Sequence, residues 1–196
     1  MEKKLQELKR RLAEVADLQN AAAMLSWDQQ TYMPPGGAEA RGNQLGTLSS
    51  IAHRKFVSDE MGQLLEDLES YTDELDPDSD EARLIQVVRR NFDKKTKVPS
   101  EFVAEFSRVR SRAHGAWEEA RENDDFAHFQ PHLEKIVEMC REYADFFAPY
   151  DHVYDPLLDR YEPGMKTESV QEIFSELRPL QVELIEPIAM EEQLRF

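Results

Sequence analysis

Apolar residues recur along this chain at spacings of three and four, the period of an α-helix that buries one stripe. Leu5, Leu8, Leu12, Val15, Leu18, Ala22 and Leu25 form one such stripe and predict a helix over about 3–32, with Lys, Glu and Arg opposite. Pro34 and Pro35 lack backbone donors, and Pro34 pushes Met33 out of the α region. Gly36 and Gly37 then let the chain reverse. A second helix follows over about 38–54 through Leu45, Leu48, Ile51 and Ala52, packed back against the first. Ser58 reads as an N-cap for a third helix carrying Met61, Leu64, Leu65, Leu68 and Tyr71.

Residues 73–81 hold six acids and a proline, which predicts a solvated, flexible acidic loop. Its acids alternate as in a calcium loop, but the central Gly and terminal Glu of such a loop are missing. Beyond Ser79 a fourth helix runs to about Lys95 with Leu84, Val87, Val88 and Phe92 inward. Pro99 and Ser100 suit the start of a fifth, which reaches about Asn123 with Phe102, Val103, Phe106, Val109, Ala113, Ala116 and Trp117 on one side. Asn123, Asp124 and Asp125 cap a short helix, and Pro131 opens another bearing Leu133, Ile136, Val137, Cys140, Ala144 and Phe147. Thr167 caps a last helix with Val170, Ile173, Phe174, Leu177, Leu184, Ile185 and Ile188, kinked or broken near Pro179 and Pro187. The pattern gives an all-α chain of about eight helices, several long and antiparallel, in a single helical domain spanning 1–196.

Composition narrows this reading. The 196 residues carry 40 acids against 24 bases, a net charge of −16, which disfavours nucleic acid and anionic membranes because both require clustered Lys and Arg. No apolar run approaches the ~18 residues of a spanning helix. Cys140 is the sole cysteine and sits on an apolar stripe, so an inert buried thiol is expected, with no intramolecular disulfide and no thiolate cluster. The first residues have no apolar segment behind them, so a cytoplasmic location is the simplest expectation.

Candidate chemistry centres on the first corner. Asp28 falls in the last turn of the first helix, where the dipole disfavours a carboxylate, and Arg41 is its nearest cationic candidate. Two readings stand: a structural pair with Trp27 as core anchor, or a cleft that Trp27 and Asp28 line together. Elsewhere, His128 and His132 have the i, i+4 spacing of a metal pair. Pro131 lies between them and no carboxylate follows His128, so a surface or packing role is expected.

Trp27-Asp28 with Thr31-Tyr32-Met33-Pro34-Pro35-Gly36, Ala38-Glu39-x-Arg41 and Gln44-Leu45-x-Thr47-Leu48 resembles the carboxypeptidase Taq family of zinc metallocarboxypeptidases. Glu122 to Phe126, Pro131 to Val137 and Tyr154 to Met165 extend the resemblance in family order over essentially the whole chain, which corresponds to the family's N-terminal part. The resemblance implies removal of C-terminal residues from peptides, with zinc held by a His-Glu-x-x-His helix and a homodimer as a candidate assembly. None of His53, His114, His128, His132 and His152 is followed by Glu, so no catalytic residue and no bound metal are assigned to this chain, which is expected to be inactive alone. The uncapped ending, Glu191 to Phe196, is what a cut or frameshifted chain would show. Peptide contacts are expected at Trp27, Asp28, Tyr154 and Tyr161. The rival expectation is a non-enzymatic interaction or assembly module, using the apolar stripe of the first helix against a partner.

Overall fold

Eight helices make up the regular structure in a computed structural model that describes residues 1–34 and 36–190: α1 (Glu2–Thr31), α2 (Ala38–Phe56), α3 (Asp59–Thr72), α4 (Asp80–Lys95), α5 (Ser100–Glu122), α6 (Phe126–Asp145), α7 (Asp155–Leu158) and α8 (Thr167–Met190). Pro35 of the corner and the uncapped ending at 191–196 lie outside the described residues. The chain divides into two compact units, Met1–Met139 and the part from Cys140 onward, with the division inside α6.

In the first unit the stripe of α1 is consumed internally. Leu5, Leu8 and Val15 join Ala52 and Phe56 of α2, Met61, Leu64, Leu65 and Leu68 of α3, and Ile85 and Val88 of α4 in one buried cluster. That stripe is therefore unavailable to a partner, contrary to the assembly reading. On α4 it is Ile85 that turns inward, while Val87 is exposed. Ser58 and Ser79 accept from the N–H groups of Met61 and Ala82, so both start signals act as N-caps. Between them the acidic loop shortens to 73–79, where Asp76 accepts the Asp78 N–H and its carbonyl accepts the Ser79 hydroxyl.

α2 also lies against α5, and glycine makes that crossing close. A Cβ on Gly46 would stand 3.0 Å from the Ala104 carbonyl oxygen, and one on Gly42 3.7 Å from that of Arg108. At the C-terminal end of α2, buried His53 ties three elements together. Its Nε2 lies 3.0 Å from the Lys95 carbonyl and its Nδ1 2.9 Å from Ser100 Oγ. The neutral ring satisfies both by donating to the carbonyl and accepting from the hydroxyl.

α5 ends in a left-handed residue, Asp124 (φ 51°), and the Asp125 N–H reaches back to the Ala120 carbonyl at 2.9 Å, a Schellman closure. Asp125 Oδ1 in turn accepts the His128 N–H, capping α6. α6 then runs unbroken through Pro131, and α8 runs unbroken through Pro179 and Pro187. The expected break at Pro131, and the alternative of breaks in the last helix, are thus corrected. The carbonyls these prolines leave unpaired belong to Ala127, Ser175 and Glu183, all exposed, so water can serve them.

In the second unit, the aromatic and acidic stretch before α8 holds the one-turn α7, an element its sequence does not announce. Asp155 is buried there and organises the clasp. Its Oδ1 accepts from the Thr167 N–H at 2.8 Å and the Thr167 hydroxyl at 2.6 Å. Thr167 is therefore the first residue of α8 and a donor to Asp155, not its cap. Among the described residues no helix is long and apolar enough to cross a membrane.

Candidate functional site

Arg41 meets the expectation placed on Asp28. From one turn into α2, its guanidinium donates to Asp28 Oδ2 and to the Leu25 carbonyl, and its Nε lies 3.1 Å from Gln44 Oε1. The cation thereby neutralises both the carboxylate and the negative end of α1. The Arg41 side chain is 12% exposed against 37% for Asp28, so the pair is anchored from the α2 side. Trp27 is no core anchor. It is 52% exposed and meets Tyr32 edge-on at 5.6 Å, with Met24 exposed on the same helix. The stripe of α1 lies on another face, which leaves the indole turned to solvent.

The first unit holds a cleft of about 620 Å³ that sequence reasoning missed, and neither Trp27 nor Asp28 lines it. Gln19, Ser26 and Gln30 of α1 face Ser107, Arg110, His114 and Trp117 of α5 across it. Its floor is a buried pair: Gln29 Nε2 donates to the Ser111 carbonyl at 3.0 Å and Ser111 Oγ donates to Gln29 Oε1 at 2.8 Å. His114 stacks on Trp117 at 5.8 Å, and its Nε2 is buried with no hydrogen bond, Glu118 Oε1 lying 3.5 Å away. The signal was present in the sequence: Ser107, Arg110 and His114 are spaced three and four, a polar stripe that meets Trp117 at the edge of the apolar one.

Tyr154 and Tyr161 belong to the second unit. Tyr154 lines a groove of about 660 Å³ with Thr167, Val170, Phe174 and Arg178. Tyr161 is 80% exposed and lies outside that lining. Thr167, one of the lining residues, is also the donor in the Asp155 clasp. Bonds from the Thr167 hydroxyl and N–H, with a smaller contribution from the His152 N–H and the Lys166 charge, hold the Asp155 carboxyl down at about 2 despite its burial. Lys166 Nζ lies 2.7 Å from Asp151 and 3.5 Å from Asp155.

The continuity of α6 puts His128 and His132 on one helical face, with ring centroids 6.3 Å apart. His128 Nε2 lies 3.2 Å from Glu119 Oε2 of α5. Among the described residues no group of three or more His, Cys, Asp or Glu side chains is arranged to hold a metal ion.

The family model described as carboxypeptidase Taq (M32) metallopeptidase matches residues 7–195. Thermostable carboxypeptidase 1 of Thermus thermophilus is 33% identical over 174 residues, covering 84% of this chain and 34% of its own length. Carboxypeptidase 1 of Bacillus subtilis is 29% identical over 177 residues, covering 90% of this chain and 35% of its own length. Among solved structures, that of BsuCP superposes with a TM-score of 0.90 at 27% identity over 97% of this chain and 38% of the other. Trypanosoma cruzi metallocarboxypeptidase 1 gives 0.76 at 28% identity over 98% and 38%. The chain thus spans about a third of the length of the curated relatives it matches. The metal that the family's description implies finds no fitting donor set among the described residues. The matched region takes in both the corner motif at Trp27 and the clasp around Asp155, and the chain belongs to the carboxypeptidase Taq (M32) metallopeptidase family.

Proposed function

We propose that this chain is the N-terminal helical part of a zinc metallocarboxypeptidase that removes C-terminal residues from peptides, and that it is inactive alone. The observation that carries the reading is a family match over residues 7–195 in a sequence where no His is followed by Glu. The His-Glu-x-x-His pattern, with two metal-binding imidazoles on one helical face and a Glu to act as base, is therefore missing from this chain. Its contribution is a wall of the substrate groove. Trp27 and Tyr161 offer exposed aromatic faces to a peptide, Tyr154 offers its ring at the mouth of the second-unit groove, and Asp28 offers a carboxylate held in place by Arg41. A cytoplasmic location and a homodimer of the complete enzyme belong to the same reading.

The test is hydrolysis of an N-blocked dipeptide in the presence of zinc. The purified chain is expected to show no turnover and no stoichiometric metal. The same chain joined to the remaining part of a family member is expected to hydrolyse the dipeptide, and Trp27→Ala or Tyr154→Ala in that context to raise KM. Turnover together with tightly held zinc in the purified chain alone would overturn the reading.

A further inference from the structure

Every residue from Gln171 to Ile188 is exposed, yet α8 is patterned to be buried. At ~100° per residue its large apolar side chains over that span, Val182 excepted, gather within an arc of about 140°. Phe174 is 61% exposed, Leu177 40%, Leu184 67% and Ile188 50%. Glu168, Glu172, Glu176, Glu183 and Glu186 occupy the opposite side. A helix this long with an apolar stripe in water is an unpartnered face.

We infer that the apolar face of α8 is a docking surface for the part of the M32 fold that this chain does not span. The inference rests on the functional reading above and names the partner that the reading requires. Two observations choose this occupant. The BsuCP structure matches 97% of this chain, which leaves too few unmatched residues to exclude α8, while this chain accounts for 38% of that one. The polar side of α8 is acidic, with Arg178 as its lone cation, whereas helices that lie on membranes carry Lys and Arg there. Docking buries Phe174, Leu177, Leu184 and Ile188 and leaves the glutamates in solvent.

Thiol labelling tests this in a Cys140→Ser background. Leu177→Cys, Leu184→Cys and, as control, Glu183→Cys are each made in this chain alone and in a chimera. In the chimera this chain is followed by the portion of Bacillus subtilis carboxypeptidase 1 that the match leaves out. All three react freely in the isolated chain. In the chimera Leu177→Cys and Leu184→Cys become protected by at least about 100-fold, as for groups released only by opening of the packed structure, while Glu183→Cys stays reactive. A chimera that fails to fold, or one in which all three remain equally reactive, overturns the inference. So does dimerisation of the isolated chain that Leu177→Glu abolishes, which assigns the face to a second copy. Hydrolysis by the chimera is read separately: protection without turnover keeps the docking face and removes the functional reading, and turnover without protection does the reverse.

Discussion

Gly46→Ala should destabilise the protein although alanine is the better helix former. Replacing glycine inside a helix stabilises it by about 1 kcal/mol when space is available. At Gly46 it is not. The new methyl would stand 3.0 Å from the Ala104 carbonyl oxygen, 3.0 Å from Arg108 Cγ and 3.1 Å from Arg108 Nη1. Arg108 can swing away at the loss of its 2.8 Å bond to Glu105, a half-exposed ion pair of small value. The carbonyl cannot, because it belongs to the α5 backbone, and a relaxed carbon–oxygen contact needs about 3.3–3.6 Å. α2 and α5 must therefore part by a few tenths of an ångström. Overpacking of this kind costs about 1–3 kcal/mol, for a net loss of about 1 kcal/mol. Gly115 in α5 is the control, since a Cβ there meets nothing within 4 Å. In a protein of this size 1 kcal/mol moves Tm by about 2–4 °C. Thermal denaturation followed by circular dichroism at 222 nm should show Tm falling by about that much for Gly46→Ala and rising by as much for Gly115→Ala. Equal rises in both variants would refute the idea that the α2–α5 crossing depends on glycine.

Gln29→Ala leaves the buried Ser111 hydroxyl without its acceptor and should cost about 1–3 kcal/mol in urea unfolding, with Ser111→Ala added in the same chain recovering part of the loss. Asp28→Ala strips Arg41 of its anion; because the carboxylate is partly solvated, a loss of about 1 kcal/mol is expected, and an unchanged urea midpoint would show the pair to be ornamental. Burial pushes the His53 imidazole below its ordinary value, so the unfolded chain takes up its proton first as pH drops. The stability this residue contributes is present above about pH 6.5 and is lost on acidification below it; His53→Gln should flatten the dependence of Tm on pH between about 7 and 5. The Asp155 carboxyl, held at about 2, contributes stability that is present above its unfolded value near 3.8 and is lost as pH falls toward 2. Asp155→Asn should lower Tm at neutral pH and remove that part of the acid transition, and a wild-type acid profile would contradict the clasp.

Helix starts were legible where a short polar side chain reaches its own backbone, as at Ser58 and Ser79, because capping depends on a few neighbouring atoms. The Asp28–Arg41 pair was legible for a similar reason, since the corner dictates which cation can reach the end of α1. Pro131 misled because its cost depends on whether water reaches the freed carbonyl, which is a property of the fold. Trp27 misled because size suggests burial, while its position puts it off the stripe that packs. The α1–α5 cleft went unread since its lining comes from segments more than 70 residues apart, with Gln29 and Ser111 separated by 82 positions. Asp155 looked like one acid among many; its distinction lies in the donors that converge on it from Thr167.

The junction from α5 to α6 has a consequence for how this protein can vary. Asp125 gives its N–H to one helix and its carboxylate to the next, so no spare residue separates them. Lengthening the junction by a single position would turn everything downstream by about 100°, swinging Phe129 and Ile136 away from the cleft they line. Insertions at this corner are forbidden by geometry rather than by chemistry, and drift there is confined to substitutions that keep an oxygen within reach of His128 N–H.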